Sequence, residues 1–349
     1  MTNTFHSGLV QLGAWFRGEV DNKGPEDDGL LRLAEAQNRW FTPAFVKVAM
    51  NANGEMLRTE VLNRWLAKYP QLNDVRSPQL IGLVLAGNLP MVGWHDVLCV
   101  LLSGHRALVK CSSEDKVLIP AAVAALDAYC DEDMASRVEF VTGTLQGADA
   151  VIATGSANTN RYFEYYFRDV PRVLRSQRTS VAVLGGDESH EQLQALGADV
   201  FQYYGLGCRS VTKLMLPNGF DLDRLFAAWV EWGHVAQNNK YANNYDYHKA
   251  VWLLNREELI ENGFLLVKED SGWVSPVGSL YYGWYASLDD VREELEAAAD
   301  NLQCIATEIP ESLQVTSVPT VPLGQSQKPN PWDYADGVDT LNFLLALSS

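Results

Sequence analysis

Cys208 is the residue whose neighbours best suit covalent chemistry, in Gly205-Leu206-Gly207-Cys208-Arg209-Ser210. Flanking glycines let backbone and ligand approach closely, and an adjacent guanidinium favours the thiolate, the nucleophilic form of a cysteine. A buried structural thiol is the other reading of the same residues. Cys99, Cys111, Cys130 and Cys304 sit in apolar or ordinary helical contexts without such surroundings.

Four further groups fall where strands are expected to end. Asn88, in Gly87-Asn88-Leu89-Pro90-x-x-Gly93, follows the apolar run 80–86. Its carboxamide can donate to a developing oxyanion or serve only the turn. Lys110-Cys111-Ser112-Ser113 closes the next strand, where a lysine and hydroxyls could hold a ribose or a phosphate, or lie solvated. Thr154-Gly155-Ser156 precedes a helix. Hydroxyls and N–H groups at a helix start suit a pyrophosphate, although Ser156 also reads as an N-cap. Leu184-Gly185-Gly186 ends another strand. Open α/β sheets bind ligands outside the carboxyl ends of their strands, so four such ends weigh more together than singly.

The elements that must position these groups follow from periodicity. Residues 1–76 read as an N-terminal helical segment for packing or oligomer formation, with Thr42-Pro43 as one helix start and Val61, Leu62, Trp65 and Leu66 as an apolar face. Residues 77–200 read as a doubly wound α/β nucleotide-binding domain. Its strands are expected at 80–86, 107–110, 138–141, 150–153 and 180–184, and its helices at 94–102 and 119–129. No G-x-G-x-x-G fingerprint occurs in it. Residues 201–320 form a smaller α/β catalytic domain. Strands are expected there at 211–216, 248–254 and 279–285, helices at 221–232 and 289–301, and an amide-rich loop at 237–244. The proline-rich stretch 319–331 is a loop, and 321–349 is a C-terminal return segment ending in a helix at 337–347.

Composition narrows the class of function. An apolar fraction of 47% and a charged fraction of 20% over 349 residues describe a soluble globular chain. With 27 basic and 44 acidic residues the net charge is −17, which repels nucleic acid and anionic membrane surfaces. An anionic ligand is still possible where a local cation or helix N-terminus meets it. The five dispersed cysteines lack C-x-x-C spacing, so neither a disulfide framework nor a metal site is expected, and the compartment is reducing. Asn88, Pro90, His95 and Asp96 interrupt the most apolar stretch, 80–102, and no signal peptide is visible. A cytoplasmic protein without membrane insertion is expected.

The order Gly-Asn-x-Pro, strand-Lys, Thr-Gly-Ser, Leu-Gly-Gly, Gly-x-Gly-Cys resembles the aldehyde dehydrogenase superfamily. Within it the chain is most similar to the acyl-CoA reductases, whose best-known members reduce long-chain acyl groups in bacterial bioluminescence. The similarity runs from about residue 77 to the C-terminus, its motifs concentrated between Gly82 and Lys213. It implies an aldehyde-dehydrogenase-like fold with Cys208 as nucleophile. Asn88 and the Cys208 N–H would be the oxyanion donors, Lys110 a ribose contact and Ser156 a pyrophosphate contact. Ser112, Ser113, Thr154, Gly155, Gly185 and Gly186 would complete the cofactor site. Ser113 stands where NAD-preferring relatives carry a ribose-binding glutamate, which points to NADPH, with NADH the alternative. Ordinary aldehyde dehydrogenases activate water with a glutamate directly before Leu-Gly-Gly. Here that position is Val183, while Glu188 and Glu191 lie nearby with nothing in the sequence to fix them at the site.

The activity so implied is reduction of an acyl-CoA thioester, fatty in kind by family, to an aldehyde through S-acyl-Cys208. A homo-oligomer and an acyl-activating protein partner are implied by the same analogy. Residues 240–248 also resemble the acyl-CoA reductases, with either an acyl or coenzyme A contact or a structural loop as their role. Aromatic runs at 162–167 and 281–285 suit an acyl tunnel or a core. Competing readings are an acyl-phosphate reductase and a non-redox acyltransferase using Cys208, His234 and Asn243 or Asn244. A non-catalytic binding subunit is the third.

Overall fold

Four N-terminal helices, α1 (Asn3–Phe16), α2 (Leu30–Gln37), α3 (Pro43–Met56) and α4 (Thr59–Leu66), open the chain. The computed structural model describes residues 3–20, 29–73, 77–130 and 133–347. Next come β1 (Leu80–Val84), α5 (Trp94–Leu102), β2 (Arg106–Lys110), α6 (Leu118–Tyr129), β3 (Val138–Phe140), β4 (Ala150–Thr154), α7 (Ala157–Tyr166) and β5 (Arg172–Arg175). A second set follows: β6 (Thr179–Val183), α8 (His190–Phe201), β7 (Val211–Pro217), α9 (Asp223–Ala228), α10 (Asn239–Leu254), β8 (Ile260–Glu261), β9 (Leu266–Glu269) and β10 (Ser279–Tyr285). The chain ends with α11 (Leu288–Ala297), β11 (Leu302–Ala306), α12 (Pro310–Leu313), β12 (Thr320–Val321) and α13 (Thr340–Ala346). Among the described residues no helix is long and apolar enough to cross a membrane.

The first compact unit comprises residues 1–177 and 330–349. Its parallel sheet has the order β3-β2-β1-β4-β5. The chain steps from β1 to one side for β2 and later to the other for β4, which makes a switch point between β1 and β4. The apolar run 80–102 is explained by burial on all sides. Ile81 and Leu83 are inaccessible within β1, and every residue of α5 except His95 is buried. Trp94 meets Phe16 of α1 edge-on with centroids 5.7 Å apart, so the N-terminal helices are part of this unit.

The return segment is tied into the first unit by buried polar contacts. Tyr334 Oη accepts from Trp65 Nε1 at 2.9 Å and lies 2.9 Å from Tyr69 Oη, which donates to Asp339 at 2.8 Å. Arg175 Nη1 reaches both oxygens of Asp96 at 2.7 and 2.6 Å, and its Nη2 donates to Thr340 at 2.8 Å. Both members of that ion pair are buried, so removing one alone costs about 3–5 kcal/mol.

The second unit, residues 178–329, holds a sheet of order β12-β11-β6-β7-β10-β9-β8. All its pairings are parallel except β8 on β9. Two expectations are corrected here. Residues 180–184, expected in the first sheet, form β6 and pair with β7 and β11, so the unit boundary falls at 177/178 and not at 200/201. The return begins at 330, not 321. Alternation of strand and helix shows that a strand is buried, without showing in which sheet.

A third correction concerns 237–254. The expected loop and strand are one helix, α10, capped by Asn238, whose Oδ1 accepts from Lys240 N at 2.9 Å and Tyr241 N at 3.3 Å. Tyr241, Tyr245 and Trp252 are its buried residues, spaced at helical intervals, whereas Leu253 and Leu254 are exposed. The amides taken as loop formers serve as a cap and outer face.

Candidate active site

Three adjacent strand ends of the first sheet carry groups picked out from sequence. A Cβ on Gly87 would lie 2.5 Å from both Cβ and Oγ of Ser112, so only glycine lets the turns after β1 and β2 touch. Asn88 follows directly and is exposed; Lys110 and Ser112 are half-buried, and Ser113 is exposed. Burial raises the neighbouring Cys111 thiol to about 11.

Two residues that brace these turns were missed. The buried Asp115 carboxyl accepts from Leu118 N at 3.0 Å and also from the N–H groups of Met91 and Val117. Burial raises its pKa against the lowering effect of those bonds. Asp115 thereby fastens the start of α6 to the turn carrying Asn88, where Met91 holds φ +62°. The signal was an aspartate just before an apolar helical run. Gln37 of α2 donates to Ser113 O at 3.1 Å and accepts from Lys116 N at 3.2 Å. Such a contact across 76 residues leaves no mark in local sequence.

At the end of β4, Thr154 and Gly155 are half-buried and Ser156 is exposed. Ser156 Oγ accepts from Thr159 N at 3.3 Å, the N-cap of α7. A Cβ on Gly155 would lie 3.0 Å from Phe163 and Thr159 and 3.1 Å from Asn160 Oδ1. Asn160 spends its Nδ2 on Arg175 O at 3.0 Å and Ser176 Oγ at 3.3 Å, while its buried Oδ1 has no protein donor. The edge thus combines a lysine, several hydroxyls, a helix N-terminus and an unused buried acceptor. Those groups fit the ribose, phosphate and amide chemistry of a dinucleotide.

The cysteine lies in the second unit, on the loop entering β7, and is half-buried. The chain reaches it through three consecutive left-handed residues, Tyr203 (φ 55°), Tyr204 (φ 60°) and Gly205 (φ 73°). Left-handed tyrosines cost on the order of 1–2 kcal/mol each and persist only where packing enforces them. Both rings are buried. Ser180 Oγ of β6 donates to Cys208 O at 3.0 Å and lies 3.2 Å from Cys304 Sγ. Since the hydroxyl proton goes to the carbonyl, the Cys304 S–H is the donor in the second contact. Burial pushes the Cys304 thiol up, and the Cys99 thiol further.

The Leu-Gly-Gly expectation is overturned. β6 and β7 are parallel, with Ser180 opposite Val211 and Val183 opposite Met215. Cys208 precedes β7 whereas Gly185 follows β6, so they occupy opposite edges of the sheet. Five strand steps from Ser180 to Gly185 span about 16 Å. Gly185 and Gly186 follow β6 of the second unit, whereas Lys110 and Thr154 end strands of the first. Val183 is wholly buried in the core with Val291 and Leu295, and says nothing about water activation. Glu188, unplaced by the sequence, is buried and takes Gly185 N–H at 2.5 Å and Gly186 N–H at 3.1 Å. The motif is a structural turn, secured further by Arg224 on Gly186 O at 2.7 Å.

The other candidates are spent elsewhere. His234 is exposed, with Nδ1 on Glu231 O at 2.8 Å and its ring stacked on Trp232, and Asn244 donates within α10 to Lys240 O at 2.8 Å. No Cys-His-Asn set is formed by these contacts. Tyr162, Tyr165 and Tyr166 face outward on α7.

These two sheets and their order are those of the aldehyde dehydrogenase fold. The chain matches an E. coli NADP dependent enzyme with TM-score 0.68 at 13% identity, over 95% of this chain and 79% of that one. A Mycobacterium tuberculosis aldehyde dehydrogenase complexed with NAD+ gives 0.62 at 14% identity, over 92% and 77%. The putative aldehyde dehydrogenase PutA of Anabaena variabilis gives 0.66 at 14%, over 93% and 81%. Curated proteins yield no match. The family model for acyl-CoA reductase (LuxC) matches residues 25–223, and the chain belongs to that family of oxidoreductases.

Proposed function

We propose that the protein reduces an acyl-CoA thioester to the aldehyde through an S-acyl intermediate on Cys208, with NADPH as reductant. The carrying observation is the contrast among thiols. Burial raises the thiols of Cys99, Cys111 and Cys304, whereas Cys208, half-buried as Cys111 and Cys130 are, lies on the glycine-flanked loop entering β7 with its carbonyl held by the buried Ser180 hydroxyl. A fatty acyl group is the substrate class the family suggests.

The chain's residues would act as follows. The Cys208 thiolate attacks the thioester carbonyl, and the N–H of Cys208 with Asn88 Nδ2 stabilises the oxyanion, roughly 3 kcal/mol for one such donor. Collapse expels coenzyme A as the thiolate and leaves the acyl group on Cys208. Lys110, Ser112 and Ser113 at the end of β2 would hold the adenosine ribose of the dinucleotide. Thr154, Gly155 and Ser156 after β4 would hold its pyrophosphate. Bound there, the cofactor supplies a hydride to the acyl carbon. The thiohemiacetal on Cys208 then releases aldehyde and regenerates the thiol. Exposed Ser113 offers room for a 2′-phosphate, which supports NADPH over NADH.

The test is oxidation of NADPH and of NADH with a panel of acyl-CoAs, followed at the nicotinamide absorbance, together with intact-mass detection of the acyl-enzyme. The expected result is NADPH-dependent aldehyde formation and an acyl adduct on Cys208, both lost in Cys208→Ser. Activity retained by Cys208→Ser would overturn the proposal.

A further inference from the structure

The proline-rich stretch ahead of the return segment holds a polar apparatus that the chemistry above leaves without a task. Asp199 of α8 is wholly buried, and its carboxyl takes three donors from that stretch. Gly324 N–H meets one oxygen at 2.6 Å; Ser326 N–H and Oγ–H meet the other at 2.9 and 2.7 Å. Gly324 has φ +80°, and a Cβ there would lie 2.8 Å from Ala195 Cβ, one helical turn before Asp199. The loop is therefore clamped flat onto α8.

From this clamped loop the buried Gln327 sends its Nε2 to Ser210 Oγ at 3.2 Å, across 117 residues. The same oxygen accepts Gly207 N–H at 3.1 Å, and Ser210 N–H returns to Gly207 O at 3.0 Å. Cys208 lies inside that turn. With two donors on its oxygen, the Ser210 side chain has one orientation, and through Gly207 N–H it holds the Leu206–Gly207 peptide. The next peptide, which carries the Cys208 N–H, is held by Ser210 N–H on Gly207 O, so both peptides flanking Gly207 are fixed by Ser210. On the other side Ser180 holds the Cys208 carbonyl. The left-handed run Tyr203–Gly205 enters this turn under strain, so the turn needs an external restraint.

We propose that Gln327, held in place by Asp199, is a positioning residue for the Cys208 nucleophile, acting through Ser210. This rests on the reading of Cys208 as the attacking group. A displacement of about 1 Å at a reacting centre costs on the order of 100-fold in rate, while substrate binding away from it is untouched.

The experiment compares full-length Gln327→Met, which keeps the volume and removes the donor, with Ser210→Ala and with the double variant. Acyl-CoA kcat and KM, NADPH affinity, thermal unfolding and the pH-dependent rate of Cys208 alkylation by iodoacetamide (located by mass spectrometry) are measured. Gln327→Met is expected to lower kcat about 10- to 100-fold with KM and NADPH affinity within about twofold, and to shift the alkylation profile. The double variant is expected to be no slower than the slower single one, because both changes cut the same link. Unchanged kcat and alkylation in Gln327→Met, or multiplicative losses in the double variant, would overturn the proposal. If Gln327→Met fails to fold, Gln327→Glu replaces it with the same shape and no donor at that oxygen, and the same outcomes decide. Should Cys208→Ser remain active, the nucleophile reading falls, while the alkylation profile still reports whether Gln327 positions the thiol.

Discussion

Asn88 and Gly87 form one device at the scale of single residues. Gly87 is small because Ser112 occupies the space of its Cβ, and this contact sets the turn that carries the exposed Asn88 beyond the end of β1. Asn88→Ala removes the proposed oxyanion donor without disturbing Gly87. Its kcat for acyl-CoA reduction is expected to fall about 100- to 1,000-fold, with NADPH affinity measured by fluorescence titration unchanged. An effect confined to cofactor affinity would move Asn88 from the oxyanion to the turn. The Glu188 carboxylate is the opposite lesson: it is buried beside a glycine pair, yet both oxygens are spent on the backbone.

Among elements, α13 is anchored by a histidine whose protonation state the geometry fixes. His105 Nδ1 accepts from Gln79 N at 3.1 Å, so the proton sits on Nε2, which donates to Leu344 O at 2.9 Å. Burial lowers the pKa below its ordinary 6.5. As pH falls below 6.5 the unfolded chain takes up a proton that the folded chain refuses. The contribution of His105 is therefore complete above that pH and is lost as pH descends toward the folded pKa. Urea unfolding at pH 7.5 and 5.5 is expected to show lower stability at the acid value. His105→Gln, which keeps an acceptor and a donor but does not titrate, is expected to flatten that difference. An equal pH dependence in the variant would assign the effect to other groups.

For the molecule as a whole, the first unit is assembled from both ends of the chain. Trp65, Tyr69, His95, His105 and Arg175 all find partners among residues 331–344. Truncation after Pro329 would take one hydrogen-bond partner or more from each of those groups, a loss of about 1–3 kcal/mol wherever the group stays buried. The truncated chain is expected to lose NADPH binding and the thermal transition of the first unit. A cooperative transition with intact cofactor binding would show the return segment to be dispensable.

Local features were readable where short-range physics decides them. The buried strand β1, the apolar helix α5, the Ser156 cap and the glycine-flanked Cys208 turn all stand as written in residue type and spacing. Helical period was misread at α10, where Tyr241, Tyr245 and Trp252 bury at helical intervals and Leu253 and Leu254 do not. The braces of the candidate site were not readable. Asp115, Gln37, Asp199 and Gln327 are ordinary polar residues until the fold brings their partners to them.

What the amino-acid order determined by itself was which segments must be buried and which residues could react, because hydrophobic period and turn chemistry act over a few residues. Which sheet β6 would join, and hence that Leu-Gly-Gly lies at the far edge from Cys208, was decided only in three dimensions. A buried parallel strand satisfies its backbone equally well in either sheet, and only long-range packing chooses between them.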